Sequence, residues 1–301
     1  MSHYTHLSGI YKTVANNAFE KERLLHEEEK RQKHPIPDNK ELKHFLSHLK
    51  NERAFAREEN ILLTRQQISE SVKADLLITN TVAAIEETDK VINLLSRRIR
   101  EWYALYDPEL EHSFKDHHAF VEAITTRTNE RAENTMGGTL SDEDLHTIKE
   151  QAEIINGLFL QREKLVSYLD ILMQQHAPNM KHIAGAMIGG KLISLAGSLE
   201  RLSRLPSGTV QLLGAETALF KHLRNKKIPP PKHGIIFNHL LMQRSHPRMH
   251  GKVARLLADK ISIAVKIDYF KGDYKADELY AQIERKLKDA EEEKRNAKKR
   301  A

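Results

Sequence analysis

The sequence predicts an all-α fold, and three observations carry that prediction. Two long stretches place apolar residues at alternating spacings of four and three, the pattern of a helix seam. Glycine and proline are few, 13 and 9 of 301 residues, too sparse for a loop-rich β protein. No segment shows a convincing strand-like alternation of apolar and polar residues. Hydrophobic residues make up 40% of the chain, enough for a core, against 30% charged and 6% aromatic.

Residues 1–75 read as a short helical N-terminal region. Phe19 to Lys33 mixes Glu, Lys and Arg around Leu24 and Leu25. His34-Pro35-Ile36-Pro37 interrupts it, because each proline disfavours helix in the residue before it. A second amphipathic stretch runs from Lys40 through Ile68.

Residues 76–176 read as a coiled-coil hairpin. Ile78, Val82, Ile85, Asp89, Ile92, Ser96 and Ile99 form the first stripe, widened by Val91, Leu95 and Trp102, the last a packing residue at the hairpin end. Pro108 stops that helix, and His112 to Arg131 reads as a short helix at the tip. After Gly137-Gly138, Ser141 with Asp144 three residues on resembles a capping box. The second stripe follows: Leu145, Ile148, Ala152, Ile155, Phe159, Arg162, Val166, Leu169 and Met173. Two stripes of similar length predict antiparallel helices. Asp89, Ser96 and Arg162 at seam positions predict further packing partners. Residues 177–272 alternate short helical segments with glycine and proline, and 273–301 form a charged helix with a basic tail.

The net charge of +6 is unevenly distributed. Between Lys221 and Lys260, ten Lys/Arg face one acid, Asp259, so this window carries +9 and the rest of the chain −3. That is the electrostatic footprint expected for a nucleic-acid partner, with a solvated basic surface as the alternative on charge alone. The chain has no cysteine, which removes disulfides, Cys-ligated zinc and a thiol nucleophile and suits a reducing compartment. It has no run of 18 apolar residues and no apolar leader, so a soluble, intracellular protein is expected, with no membrane partner.

Sequence motifs for catalysis fail on inspection. Gly185-Ala186-Met187-Ile188-Gly189-Gly190-Lys191-Leu192 nearly matches a phosphate loop, but Leu192 offers no hydroxyl to magnesium and the preceding residues read as helix. Close helix approach explains those glycines better. The 17 histidines include pairs at four-residue spacing (His44/His48, His246/His250), but zinc needs a third ligand and no H-E-x-x-H occurs, so exposed polar residues are the reading. No G-x-S-x-G elbow occurs. No catalytic residue, metal site or cofactor is assigned.

One ordered set of motifs is specific. Ala177-Pro178-Asn179-Met180 is followed by Leu192 to Leu199, then by Leu205-Pro206-Ser207-Gly208-Thr209-Val210-Gln211-Leu212-Leu213-Gly214-Ala215-Glu216-Thr217-Ala218-Leu219-Phe220. Pro231-Lys232-His233-Gly234-Ile235-Ile236-Phe237 and Gly251 to Ala258 continue it, and Asp89 to Asn93, Arg100 to Tyr103 and Pro108-Glu109-Leu110 precede it. This resembles the Nop domain family, over roughly Thr79 to Phe270. The sequence departs from the family pattern at Thr217, where Lys is usual, at Lys221 for Arg and at His233 for Tyr. The first 75 residues also depart from the family's N-terminal domain.

The resemblance implies a scaffold, not an enzyme, in a C/D-box small ribonucleoprotein. Its implied partners are a guide RNA with a kink-turn, the small ribosomal-type protein bound to that kink-turn, the methyltransferase fibrillarin, and a second copy of the chain. Residues 1–75 are the expected fibrillarin-docking part. Implied RNA-binding residues are Gly214, Ala215, Glu216, Phe220, Lys221, Arg224, Lys226, Lys227, Lys232, His233, Lys252 and Arg255. Phe220 is expected in a core, with stacking on an unpaired base, as for His233, the alternative. A dimer is expected through Ile85, Ile92, Ile99, Ile155, Phe159 and Val166. The short chain without a lysine/acid repeat tail points to an archaeal, cytoplasmic member rather than a nucleolar one. A splicing-type scaffold and a protein-interaction coiled coil without RNA are the alternatives.

Overall fold

The computed structural model describes residues 3–6, 9–13, 19–23, 53–127 and 135–300. They fall into two compact units, Met1–Lys73 and Ala74–Ala301.

The first unit contains a three-stranded antiparallel sheet, β1 (His3–His6), β2 (Gly9–Thr13) and β3 (Phe19–Arg23), in that order, and helix α1 (Arg53–Ser71). His3 pairs with Lys12 and Thr13 with Phe19, with a register shift between Ile10 and Tyr11. The helix expected to start at Phe19 is therefore corrected over Phe19–Arg23. These strands are only four or five residues long, too short for alternation to stand out, and pairing with β2 overrides the helical preference of Glu and Lys. Residues 24–33, the break at His34–Pro37 and the start of the Lys40–Ile68 stretch lie outside the described residues.

From Ala74 onward the fold is all-α. Helices α2 (Ala74–Tyr103) and α5 (Asp142–His176) pack along their lengths. Ile78, Val82, Ile85, Ile92 and Ile99 are buried on α2, and Leu145, Ile148, Ala152, Ile155, Leu169 and Met173 on α5. Each seam isoleucine removed from water contributes roughly 1.5–3 kcal/mol. The direction is antiparallel: Asp75 pairs with His176 at the base and Asp89 with Arg162 farther along, so numbers rise on one helix as they fall on the other. The two charged residues at seam positions, Asp89 and Arg162, thus neutralise each other. Ser141 opens α5 with the expected capping box to Asp144.

The tip between these helices is built on α3 (Pro108–Ser113) and α4 (His117–Thr126). Phe120 is its fully buried centre, with Tyr103 edge-on at 5.9 Å between centroids. Arg100 fastens the tip. Its guanidinium lies over the Phe120 ring at 4.5 Å, pairs with Glu111 at 2.8 Å and donates to the Phe114 and Asp116 carbonyls. Trp102 stays partly open on the surface, so the packing role read for it belongs mainly to its neighbours.

At the base of the hairpin, α6 (Pro178–Ala184) and α7 (Ala186–Ala196) begin a set of short helices sharing one core with it. A Cβ at Gly190 would lie 2.9 Å from Val82 and 3.2 Å from Leu169, so Gly190 lets α7 close onto both long helices, whereas Gly185 meets nothing within 4 Å and instead takes a φ of +81°. Helices α8 (Leu199–Arg204) and α9 (Ser207–Leu212) continue the path. The centre is α12 (His250–Tyr269), with Val253, Leu257, Ile261 and Val265 fully buried. Asp268 near its end accepts from the Asn179 and Met180 backbone N–H groups and from Asn179 Nδ2, tying α12 to the start of α6. Helix α13 (Ala276–Arg300) lays Ala276, Leu279 and Ile283 on this core.

Candidate nucleic-acid interface

Between Glu216 and Asp259 the sequence has no acid. The structure sets this span on α10 (Glu216–Arg224), a loop to Gly234, a 3-10 turn (Ile235–Asn238), α11 (Leu240–Arg244) and the start of α12. Lys221, Arg224, Lys226, Lys227, Lys232, Lys252 and Arg255 are all exposed. Lys260 is different: it turns inward and donates to Gln282 at 2.7 Å, so the end of the basic window belongs to the core.

The loop is pinned where α9 meets α10. Gly234 N donates to Gln211 O at 2.8 Å, Ile235 N to Leu213 O at 2.9 Å, and Gln211 Nε2 to Lys232 O at 2.6 Å. This contact requires glycine on both sides. A Cβ at Gly234 would stand 1.8 Å from Leu213 O, and one at Gly214, whose φ is +84°, 2.3 Å from Ile235 Cγ2. Gly214 therefore serves the approach of one protein segment to another. Glu216 accepts from Gly214 N at 2.7 Å and closes the turn that starts α10.

The structure tests one of the two readings of Phe220, the core. Phe220 is 66% exposed, so the core expectation is corrected: α10 has no buried residue, and its apolar side chains Phe220 and Leu223 face outward among Lys221 and Arg224. His233 stacks on Phe237, centroids 4.6 Å apart and planes 13° from parallel, with His250 edge-on to both rings. Burial, then His250 and Lys232, hold the His233 imidazole below its ordinary value. Phe237 and His250 were missed in the sequence reading. The available signal was an aromatic residue three positions after Gly234 inside the acid-free span.

The six residues expected to pair two copies do something else. Ile85, Ile92, Ile99 and Ile155 are buried within the single chain, and Phe159 and Val166 pack partly buried against the same cores. Their heptad spacing closes the hairpin. Facing outward are Val91 and Leu94 on α2 and Ile154, Leu160, Tyr168 and Ile171 on α5.

A cavity of about 730 Å³ lies near the base of the hairpin, between Val166, Met187, Lys191, Asn238 and Tyr280. Two of its polar side chains have acidic neighbours: Lys191 pairs with Glu86, and His182 lies 3.4 Å from Asp277. Among the described residues no group of three or more His, Asp or Glu is placed to hold a metal ion, and no helix is long and apolar enough to cross a membrane.

Comparison with known proteins agrees with the motifs. The Nop family model, described as "snoRNA binding domain, fibrillarin", matches residues 84–289. An uncharacterised NOP5 family protein of Methanocaldococcus jannaschii is 44% identical over 250 residues, covering 75% of this chain and 60% of that protein. Nucleolar protein 58 of Botryotinia fuckeliana is 34% identical over 247 residues, covering 75% of this chain and 42% of that protein. The chain thus spans about half the length of these relatives. A crystal structure titled as a fibrillarin/Nop5p complex aligns with a TM-score of 0.49 at 25% identity, over 96% of this chain and 99% of that one. With its model matched across the hairpin, the short helices and the pinned turn, the chain belongs to the Nop family.

Proposed function

We propose that the chain is a non-catalytic RNA-binding scaffold of a C/D-box ribonucleoprotein. The 214–255 surface takes a guide RNA at its kink-turn, together with the ribosomal-type protein already seated there. Fibrillarin, positioned by the chain, carries out the guide-directed 2′-O-methyl transfer. The observation that supports this most is the set of nine exposed Lys and Arg side chains, Arg244 and Arg248 included, in a span with no acid, displayed around a turn fixed by Gly214 and Gly234. Exposed cations offset phosphate charge and release counterions, which gives affinity that falls steeply with salt.

The chemistry left to such a chain is geometric. Holding enzyme and substrate together converts an encounter into a held complex, worth on the order of several kcal/mol of barrier. A second copy is held through the hairpin. Because the heptad seam is closed internally, the pairing face falls on the outward Val91, Leu94, Ile154, Leu160, Tyr168 and Ile171. Residues 1–75 are the proposed fibrillarin-docking part. The setting is the cytoplasm of an archaeon, or the nucleolus for a eukaryotic member.

Salt-titrated binding of the full chain to kink-turn RNA, with and without the kink-turn protein, tests the reading. Binding is expected to be tightest with that protein present and to weaken linearly in log–log form with salt. No binding, or a flat salt response, overturns it. In a reconstituted reaction, fibrillarin with guide RNA and kink-turn protein is expected to methylate only when this chain is added, and the chain alone to transfer nothing. Methylation that survives deletion of residues 1–75 places the docking site elsewhere.

A further inference from the structure

We propose that His233, Phe237 and His250 form a stacking platform for one unpaired nucleobase of the bound RNA. This rests on the RNA reading above and names the part of the RNA that the surface takes.

Three separate elements bring these rings together. His233 ends the pinned loop, Phe237 sits in the 3-10 turn and His250 is the first residue of α12. Ile235 and Ile236 are buried in the core, which anchors the turn and leaves Phe237 40% exposed. The Phe237 N–H donates to Gly234 O at 3.1 Å, and the turn itself hangs on Leu213. The ring is therefore fixed before any ligand arrives, so little side-chain freedom is lost on stacking.

A single exposed phenylalanine is ordinary on a protein surface. This one is already half of a parallel stack, with a flat neutral imidazole on it and a second imidazole at its edge. Lys232 is exposed beside it and acts on the His233 imidazole, and no acid lies between Glu216 and Asp259. Flat rings ringed by cations suit a ligand that is flat and attached to phosphate. A nucleobase splayed from an RNA loop is such a ligand, since single-stranded elements are read by stacking on aromatic and histidine rings. An aliphatic protein side chain would gain nothing from the cations.

The test uses the full chain and the kink-turn protein with kink-turn RNAs carrying 2-aminopurine at each unpaired position in turn. One position is expected to lose emission on binding as its base joins the stack. Phe237→Leu, which keeps an apolar side chain, should abolish that quench and weaken binding by about 5- to 150-fold, the range seen when one stacked base loses its aromatic partner. Phe237→Tyr should restore both. Salt-dependent binding with no quenched position, or a quench that persists in Phe237→Leu, overturns the platform while leaving the RNA reading in place. Absence of RNA binding by the unaltered chain removes both.

Discussion

The hairpin and the 214–255 surface handle charge in opposite ways. Along the hairpin and its tip, ionic groups meet partners in the same chain: Asp89 with Arg162, Asp75 with His176, Arg100 with Glu111 and Asp107 with Arg127. On the surface, nine Lys and Arg side chains are exposed in a stretch where the sequence supplies no carboxylate. Exposed charges of this kind add little to folding, because water already solvates them. The contrast separates charge that positions the fold from charge held ready for another molecule. Apolar side chains show the same division. Seam isoleucines vanish into the hairpin, while Phe220, Leu223 and Phe237 stand outside.

The largest break in this comparison is a charge inside the seam. Ile155 is buried in the hairpin, whereas its neighbour Ile154 is 55% exposed. Ile155→Asp should cost more than about 4 kcal/mol, because a carboxylate there has neither water nor partner. Thermal unfolding by circular dichroism reads it. Ile154→Asp should stay within about 0.5 kcal/mol of the parent in the same measurement. In sedimentation at micromolar concentration it should shift a dimer to a monomer. Similar losses in both variants would mean that the seam is wrongly drawn.

Next in size is the tip. Arg100→Met keeps much of the side-chain length but leaves the Glu111 carboxylate, His117 Nδ1 and the backbone carbonyls of Glu111, Phe114 and Asp116 without their donor. Breaking a largely buried pair by removing one partner typically costs about 3–5 kcal/mol, so a loss near that range is expected in denaturant titration. A change under about 0.5 kcal/mol would show that the tip stands without it.

A smaller effect depends on pH. His239 accepts from Leu241 N on Nδ1, while Nε2 lies 2.9 Å from Ile183 O, an arrangement that suits a neutral imidazole donating from Nε2. Burial lowers its pKa below the ordinary 6.5, with the Ile183 bond opposing. The unfolded chain then binds the proton more readily than the folded one. The stability contributed is complete above 6.5 and is lost as pH falls through the lowered folded value. His239→Asn should shrink the difference in unfolding midpoint between pH 7 and pH 5; an unchanged difference would assign the acid sensitivity to other groups.

What the sequence made legible follows from the range of the forces involved. The hairpin could be read because a heptad stripe repeats many times on one helix, and the capping box at Ser141 because it spans three residues. The Nop motifs placed the basic surface as well. The N-terminal sheet was hidden because β3 owes its conformation to pairing with β2 rather than to its own charged residues. The seam residues were legible as apolar, but periodicity alone does not say whether the partner helix belongs to the same chain. Phe220 and Phe237 show the same limit: burial is decided by what arrives opposite, so an exposed phenylalanine and a core phenylalanine look alike in a sequence.

The smallest expected change in stability accompanies the clearest change in binding. Lys226, Lys227 and Lys232 are exposed on the pinned loop, and removing three solvated ammonium groups should alter the unfolding free energy by less than about 0.5 kcal/mol each. The loop itself is fixed through backbone groups of Lys232, Gly234 and Ile235, which alanine at position 232 preserves. Binding of the triple alanine variant to kink-turn RNA should nevertheless weaken, and its log–log salt slope should flatten by up to about one unit per lost phosphate contact. Lys260 supplies the control from within the same basic window. Its ammonium faces Gln282 in the core, so Lys260→Met should leave the slope unchanged whatever it does to stability. An unaltered slope in the triple variant would place the RNA elsewhere on the molecule. A slope that flattened equally in Lys260→Met would show that the window acts through its total charge, and that the division between inward and outward cations has no bearing on binding.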